Sequence, residues 1–144
     1  MMDLALEEAK KAEKLGEVPV GAIIVKNGEI IAKAHNLKET LKNPLAHAEV
    51  LAINEACKKL NNWRLLGCEM YVTLEPCPMC AGAILQSRIS KVHIGAIDDT
   101  TGAGGSVVNI LQNVNLPYFI DLIWYNYKPC SDILVNFFKK KRTK

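Results

Sequence analysis

Met70-Tyr-Val-Thr-Leu-Glu-Pro-Cys-Pro-Met-Cys-Ala-Gly-Ala-Ile-Leu-Gln-Ser-Arg88 is the stretch on which the fold turns. Met70 to Leu74 mixes β-branched and aromatic residues and reads as a strand. It runs straight into Glu75-Pro-Cys-Pro-Met-Cys80 and an alanine-rich stretch ending near Arg88, which predicts strand, tight turn and helix in succession. Downstream, Lys91 to Ala96 is short and β-like, and Asp98 to Ser106 is a turn region with Gly102, Gly104 and Gly105. Ser106 is a good N-cap for a further short helix. Ile120 to Tyr127 is the last strand, and Ser131 to Lys140 a terminal helix with Ile133, Leu134, Phe137 and Phe138 on one side. Upstream, apolar or small residues at steps of three and four make Asp3 to Leu15 an amphipathic helix. Asn27-Gly28 between Val20–Val25 and Ile30–Ala32 is a type I′ hairpin signal, and Pro44 to Leu60 reads as a second helix. Helices alternating with strands after one hairpin imply an α/β, three-layer domain built on a mixed sheet of about five strands.

The 144 residues suit a single domain, and no internal repeat or linker divides them. A domain of this length folds without a disulfide or structural metal, so any metal is expected to be functional. Eighteen Lys and Arg stand against fifteen Asp and Glu, but Lys139, Lys140, Lys141, Arg142 and Lys144 supply five of the positive charges. The body is therefore slightly acidic, and the basic character belongs to a C-terminal tail, 139–144, of the kind that stays solvated or meets phosphates. No run of 18 apolar residues and no basic start followed by an apolar block occurs, so neither a membrane span nor a signal peptide is expected. Five cysteines, an odd number, fit a reducing compartment better than a disulfide framework, and the expected location is cytoplasmic.

The chemistry concentrates in His47-Ala-Glu49, near the start of the second helix, and in Cys77-Pro-Met-Cys80. Two cysteines three apart on a first helical turn place both sulfurs on one face. With a histidine nitrogen they fill three of the four tetrahedral positions of one Zn²⁺ per chain, and a catalytic zinc site leaves the fourth to water. Cys57, Cys68, Cys130, His35 and His93 are not paired at ligand spacing, and none is assigned a role. Two residues along a regular helix turn a side chain by about 200°, so His47 and Glu49 converge only at an irregular helix start. If they converge, Glu49 lies beside the metal-activated water without ligating zinc, where a proton shuttle belongs.

H-x-E followed by P-C-x-x-C is the signature of zinc-dependent nucleobase deaminases. Tyr71 to Ile84, Ser87-Arg88, Gly95-Ala96, Asp98, Thr101-Gly-Ala-Gly-Gly-Ser106, Val18-Pro-Val-Gly21 and Asn36 together resemble the bacterial tRNA adenosine deaminase family, from about Leu4 to Phe138. The resemblance implies a cytidine-deaminase-like fold, a homodimer, and hydrolytic conversion of adenosine to inosine at the wobble position of a tRNA anticodon stem-loop. It implies zinc on His47, Cys77 and Cys80, Glu49 as the catalytic proton carrier, and Asn36 and Asp98 near the bound nucleotide. Thr100 and Gly104 depart from the family's frequent Lys and Ala, which bears on local RNA contacts rather than on the chemistry.

A lone C-x-x-C also suits a structural zinc knuckle or a redox dithiol. His47-Ala-Glu49 shifts the balance, because neither needs a spare carboxylate. Asn36 and Asp98 are ordinary turn residues apart from the resemblance, and the three glycines supply the positive φ of a tight loop. Trp63, Trp124, Tyr125 and Tyr127 read as core or interface. A free cytosine or guanine deaminase would show nearly the same zinc segments, and a non-catalytic, zinc-stabilised RNA-binding module is the rival outside enzymes.

Overall fold

In the computed structural model, which describes residues 1–143, Asn27 and Gly28 both have positive φ, 52° and 76°. This type I′ turn joins β1 (Gly21–Lys26) and β2 (Glu29–His35) in antiparallel pairing. Around the hairpin follow α1 (Met2–Lys14), α2 (Ala48–Leu60), β3 (Cys68–Leu74), α3 (Pro78–Gln86), β4 (Lys91–Ala96), β5 (Asp121–Trp124) and α4 (Lys128–Arg142). The sheet order is β2-β1-β3-β4-β5. β1 pairs with β3 antiparallel, whereas β3–β4 and β4–β5 are parallel, so the five-stranded sheet is mixed as expected.

Strand alternation divides the core into two layers. Met70, Val72 and Ile94 pack with Ala52, Ala56 and Ile84 of α2 and α3 on one face. Ile23, Val25 and Tyr71 pack with Ala5, Ala9 and Cys130 of α1 and α4 on the other. The chain is thus an α/β/α sandwich, and among the described residues no helix is long and apolar enough to cross a membrane.

The register sets the functional edge. Ala22 lies opposite Val72 and Leu74 beside Ala96, so the approach to β1, the end of β2 and the carboxyl ends of β3 and β4 meet at one end of the sheet. Ligands of open α/β sheets bind at such an end. The Gly21 amide donates to Thr73 Oγ1 (3.1 Å) and pins β1 to β3 there.

Three expectations need correction. The second helix starts at Ala48, not Pro44, and Pro44 to Ala46 form a turn. No helix starts at Ser106: residues 105–120 are turns and irregular chain with one isolated bridge, from Asn109 to Gly104, because the Ser106 amide and hydroxyl both donate to the Glu75 carboxylate. Side-chain bonds of Asn109, Gln112 and Asn113 then close local turns that compete with a helix. The terminal helix is longer than Ser131–Lys140, since Pro129 is tolerated in a first turn. It continues through Lys139–Arg142, whose charges suit a helix C-terminus. The segment read as a tail is therefore helical to Arg142, and Lys144 lies outside the described residues.

Candidate active site

The two helices on the α2/α3 face begin at the functional edge, with His47 as the N-cap residue of α2 and Cys77 as that of α3. Both caps are extended, with ψ of 151° and 172°, so neither side chain follows helical spacing. That is the irregular start that His47 and Glu49 require to face one centre. Pro78, just inside α3, fixes the turn by which β3 enters the helix.

His47 Nδ1 lies 3.6 Å from Cys77 Sγ and 3.5 Å from Cys80 Sγ. Two corners of a tetrahedron with metal bonds of roughly 2.05 Å to nitrogen and 2.3 Å to sulfur stand about 3.6 Å apart. The three ligand atoms lie within 4.8 Å of one another, so the triangle fits zinc without rearrangement. Cys57, Cys68 and Cys130 are free thiols outside it. Of the other histidines, His35 bonds Glu8 (3.0 Å), and His93 bonds Glu69 (2.8 Å) and Tyr125 (2.9 Å). Both are ordinary paired side chains.

Electrostatics favour thiolate character at the triangle. A hydrogen bond from Cys80, then one from His47, holds the Cys77 thiol down to about 4 against the opposing effect of burial. Cys80 moves the other way, raised by its bond to Cys77 and by burial. Zinc takes cysteine as thiolate, so a metal bound here would displace the proton that Cys80 keeps. The Cys77 bond raises His47 above its ordinary value. The amino ends of α2 and α3 add positive potential.

Glu49, in the first turn of α2, is 4% exposed. Burial, with a smaller contribution from the Cys77 thiolate, pushes its carboxyl up to about 7. It lines, with His47 and Cys77, a cavity of about 160 Å³ whose walls include Val18, Val20, Leu74, Asn36 and Asp98. That is smaller than the roughly 300–1,000 Å³ of pockets for drug-sized ligands and suits one small planar group.

All six residues singled out in the sequence therefore converge. Asn36 donates to the Val18 carbonyl (3.2 Å) and accepts from the Lys38 amide (3.2 Å). Asp98 Oδ1 accepts from the Thr100 and Thr101 amides and the Thr100 hydroxyl, whereas Oδ2 accepts only the Thr101 hydroxyl. Oδ2 retains the acceptor capacity to meet a ligand.

Two buried carboxylates behind the rim were missed. Glu17 accepts the amides of Glu39 and Thr40 and the Thr40 hydroxyl, tying down the 36–43 loop. Glu75 accepts from Asp98, Gly104 and Ser106 and ties down the 98–106 loop. The glycines carried the signal for Glu75. Of Gly102, Gly104 and Gly105, only Gly105 has a positive φ (128°), whereas a Cβ on Gly102 would lie 2.5 Å from Glu75 Oε2 and 2.3 Å from the Asp98 carbonyl. Gly102 is needed for close approach, not for turn conformation.

A metal triangle with a buried carboxylate on this sandwich defines a zinc-dependent deaminase, and the family described as the cytidine and deoxycytidylate deaminase zinc-binding region matches residues 1–96. The tRNA-specific adenosine deaminase of Aquifex aeolicus is 55% identical over 141 residues, covering 98% of this chain and 93% of that one. A structure solved in work on A-to-I editing by tRNA:A34 deaminases at the wobble position superposes with a TM-score of 0.89 at 40% identity, over 92% and 97% of the two chains. The guanine deaminase of Bacillus subtilis aligns less fully, with a TM-score of 0.64 and 43% identity over 67% and 62%. The chain belongs to the tRNA-specific adenosine deaminase family of zinc-dependent deaminases.

Proposed function

We propose that this protein hydrolyses the 6-amino group of adenosine at the wobble position of a tRNA anticodon stem-loop, releasing ammonia and leaving inosine. The observation that carries the chemistry is the placement of Glu49, buried beside three metal-ligand atoms at the tetrahedral spacing. The RNA substrate is supported by near full-length similarity to tRNA-specific deaminases.

His47 Nδ1, Cys77 Sγ and Cys80 Sγ would hold one zinc ion. Zinc bound there supplies Lewis acidity that brings the pKa of a water to about 7. Glu49 takes a proton from the attacking water and gives it to adenine N1 as C6 is attacked. It then takes the remaining proton from the C6 hydroxyl and passes it to the amino nitrogen, so that ammonia leaves as the C6–N bond breaks and the C6 carbonyl of inosine forms. Asn36 and Asp98, both on the cavity wall, orient the nucleotide, and the apolar Val18, Val20 and Leu74 exclude bulk water from the base. An unpaired loop suits this geometry, because extracting a base from a duplex costs roughly a few kcal/mol.

The protein works as a cytoplasmic homodimer with one deaminase domain per chain. Exposed apolar side chains, among them Trp63, Leu66 and Phe119, support a partner surface. The basic end from Lys139 to Lys144 supports contact with phosphates. Incubation with an anticodon stem-loop bearing a wobble adenosine should yield inosine, with little turnover of free adenosine, cytosine or guanine. Turnover of free guanine or cytosine, with none of the stem-loop, would overturn the RNA reading and leave the zinc chemistry standing.

A further inference from the structure

We infer that Glu75 is a positioning residue for the RNA substrate: from the pocket wall it fixes the 98–106 loop so that Asp98 and Thr101 meet the bound nucleotide. The inference rests on the RNA-editing reading above. Glu75 is 2% exposed and stands at the end of β3, two residues before Cys77. Its Oε1 accepts from the Asp98 amide (3.1 Å) and the Ser106 hydroxyl (2.5 Å), and its Oε2 from the amides of Gly104 (2.9 Å) and Ser106 (3.1 Å). One carboxylate thus engages four donors spread over nine residues of loop. The loop has been cut to fit: a Cβ on Gly102 would collide with the carboxylate, and one on Gly104 would stand 3.3 Å from both Oε2 and the Trp124 ring. The segment is held between Glu75 and Trp124, and the Ala103 amide bonds the Pro76 carbonyl (2.8 Å) to complete the attachment.

The geometry separates this carboxylate from the chemistry. Each oxygen already has two donors, which leaves little capacity to accept a proton from water or base. Its influence reaches the substrate through Asp98, whose amide it holds and whose side chain in turn caps Thr100 and Thr101. Loss of the brace should therefore weaken RNA binding without dismantling the metal triangle.

Glu75→Gln tests this, because an amide nitrogen would face backbone donors it cannot accept from. With zinc-loaded protein and a wobble-adenosine stem-loop, KM should rise about tenfold while kcat stays within about threefold. Zinc content should be unchanged. Hydrogen exchange at Asp98, Gly104 and Ser106 should accelerate while α2 and α3 stay protected. Ser106→Ala, which removes one of the four donors, should move KM and exchange the same way by less, and it covers the case in which Glu75→Gln fails to fold. Loss of zinc together with kcat in both variants would mean that the residue is structural and overturn the inference. Wild-type editing with unmoved KM and exchange in the variants would overturn it alone. A wild type that does not edit the stem-loop would overturn the RNA reading, and unchanged loop exchange would then overturn this inference as well.

Discussion

Glu49 and Glu75 are both almost fully buried and both line the same cavity, yet their surroundings give them opposite uses. Glu75 is met by three amides and a hydroxyl, so its charge is spread over a loop that it fixes in place. Glu49 faces the two cysteines and His47 with few donors, and burial makes its charged form expensive. The contrast teaches that burial alone does not mark an acid-base group. What matters is how many donors are already aimed at the carboxylate, since a group with spare acceptor capacity can exchange a proton and a saturated one holds backbone.

The largest effect should come from breaking the metal side of this contrast. Cys77→Ser or Cys80→Ser should lose zinc, read by elemental analysis, and abolish deamination, while hydrogen exchange in the 98–106 loop stays slow because the Glu75 brace is untouched. Unchanged zinc in both variants would remove the metal assignment. Cys57→Ser, outside the triangle, should keep both metal and activity.

A smaller effect should come from acid, and it should appear on the rim. Burial opposes the charges of Asp98 and Glu17, but hydroxyl and amide donors hold both carboxyls below their ordinary values of 3.8 and 4.5. A depressed carboxyl stabilises the folded loop above its ordinary value and loses that contribution as pH falls through its lower folded value. The 36–43 and 98–101 segments should thus lose exchange protection below about pH 4 while the sheet keeps its own. Protection of the rim at about pH 3 equal to that at about pH 6 would contradict the bonding described.

Much of this arrangement was legible in the sequence because its signals are local. Asn27-Gly28 dictates its own turn, β3 runs into Cys77 and Cys80, and His47-Ala-Glu49 names the third ligand and the buried carboxylate beside it. The rest depends on contacts between distant residues. Ser106 looks like a helix cap until Glu75, 31 residues earlier, claims its amide and hydroxyl. Gly102 looks like a turn residue until the same carboxylate is seen beside it. Glu17 and Glu75 carry no local mark of burial, since a carboxylate is normally placed at the surface and only the folded loops supply the amides that solvate it. The extension of α4 to Lys128 and Arg142 rests on end effects, where a proline and basic residues fit a helix better than their composition suggests.

The division of labour between the two glutamates is tested most directly by the turnover of zinc-loaded Glu49→Gln at saturating anticodon stem-loop. The carboxamide keeps the shape of the side chain and cannot carry the proton. The variant should retain one zinc per chain and bind the stem-loop with wild-type affinity, while kcat falls by roughly 10²–10⁴-fold, as expected on losing a general acid-base group. A kcat close to wild type with zinc still bound would show that another group moves the proton and would contradict the account.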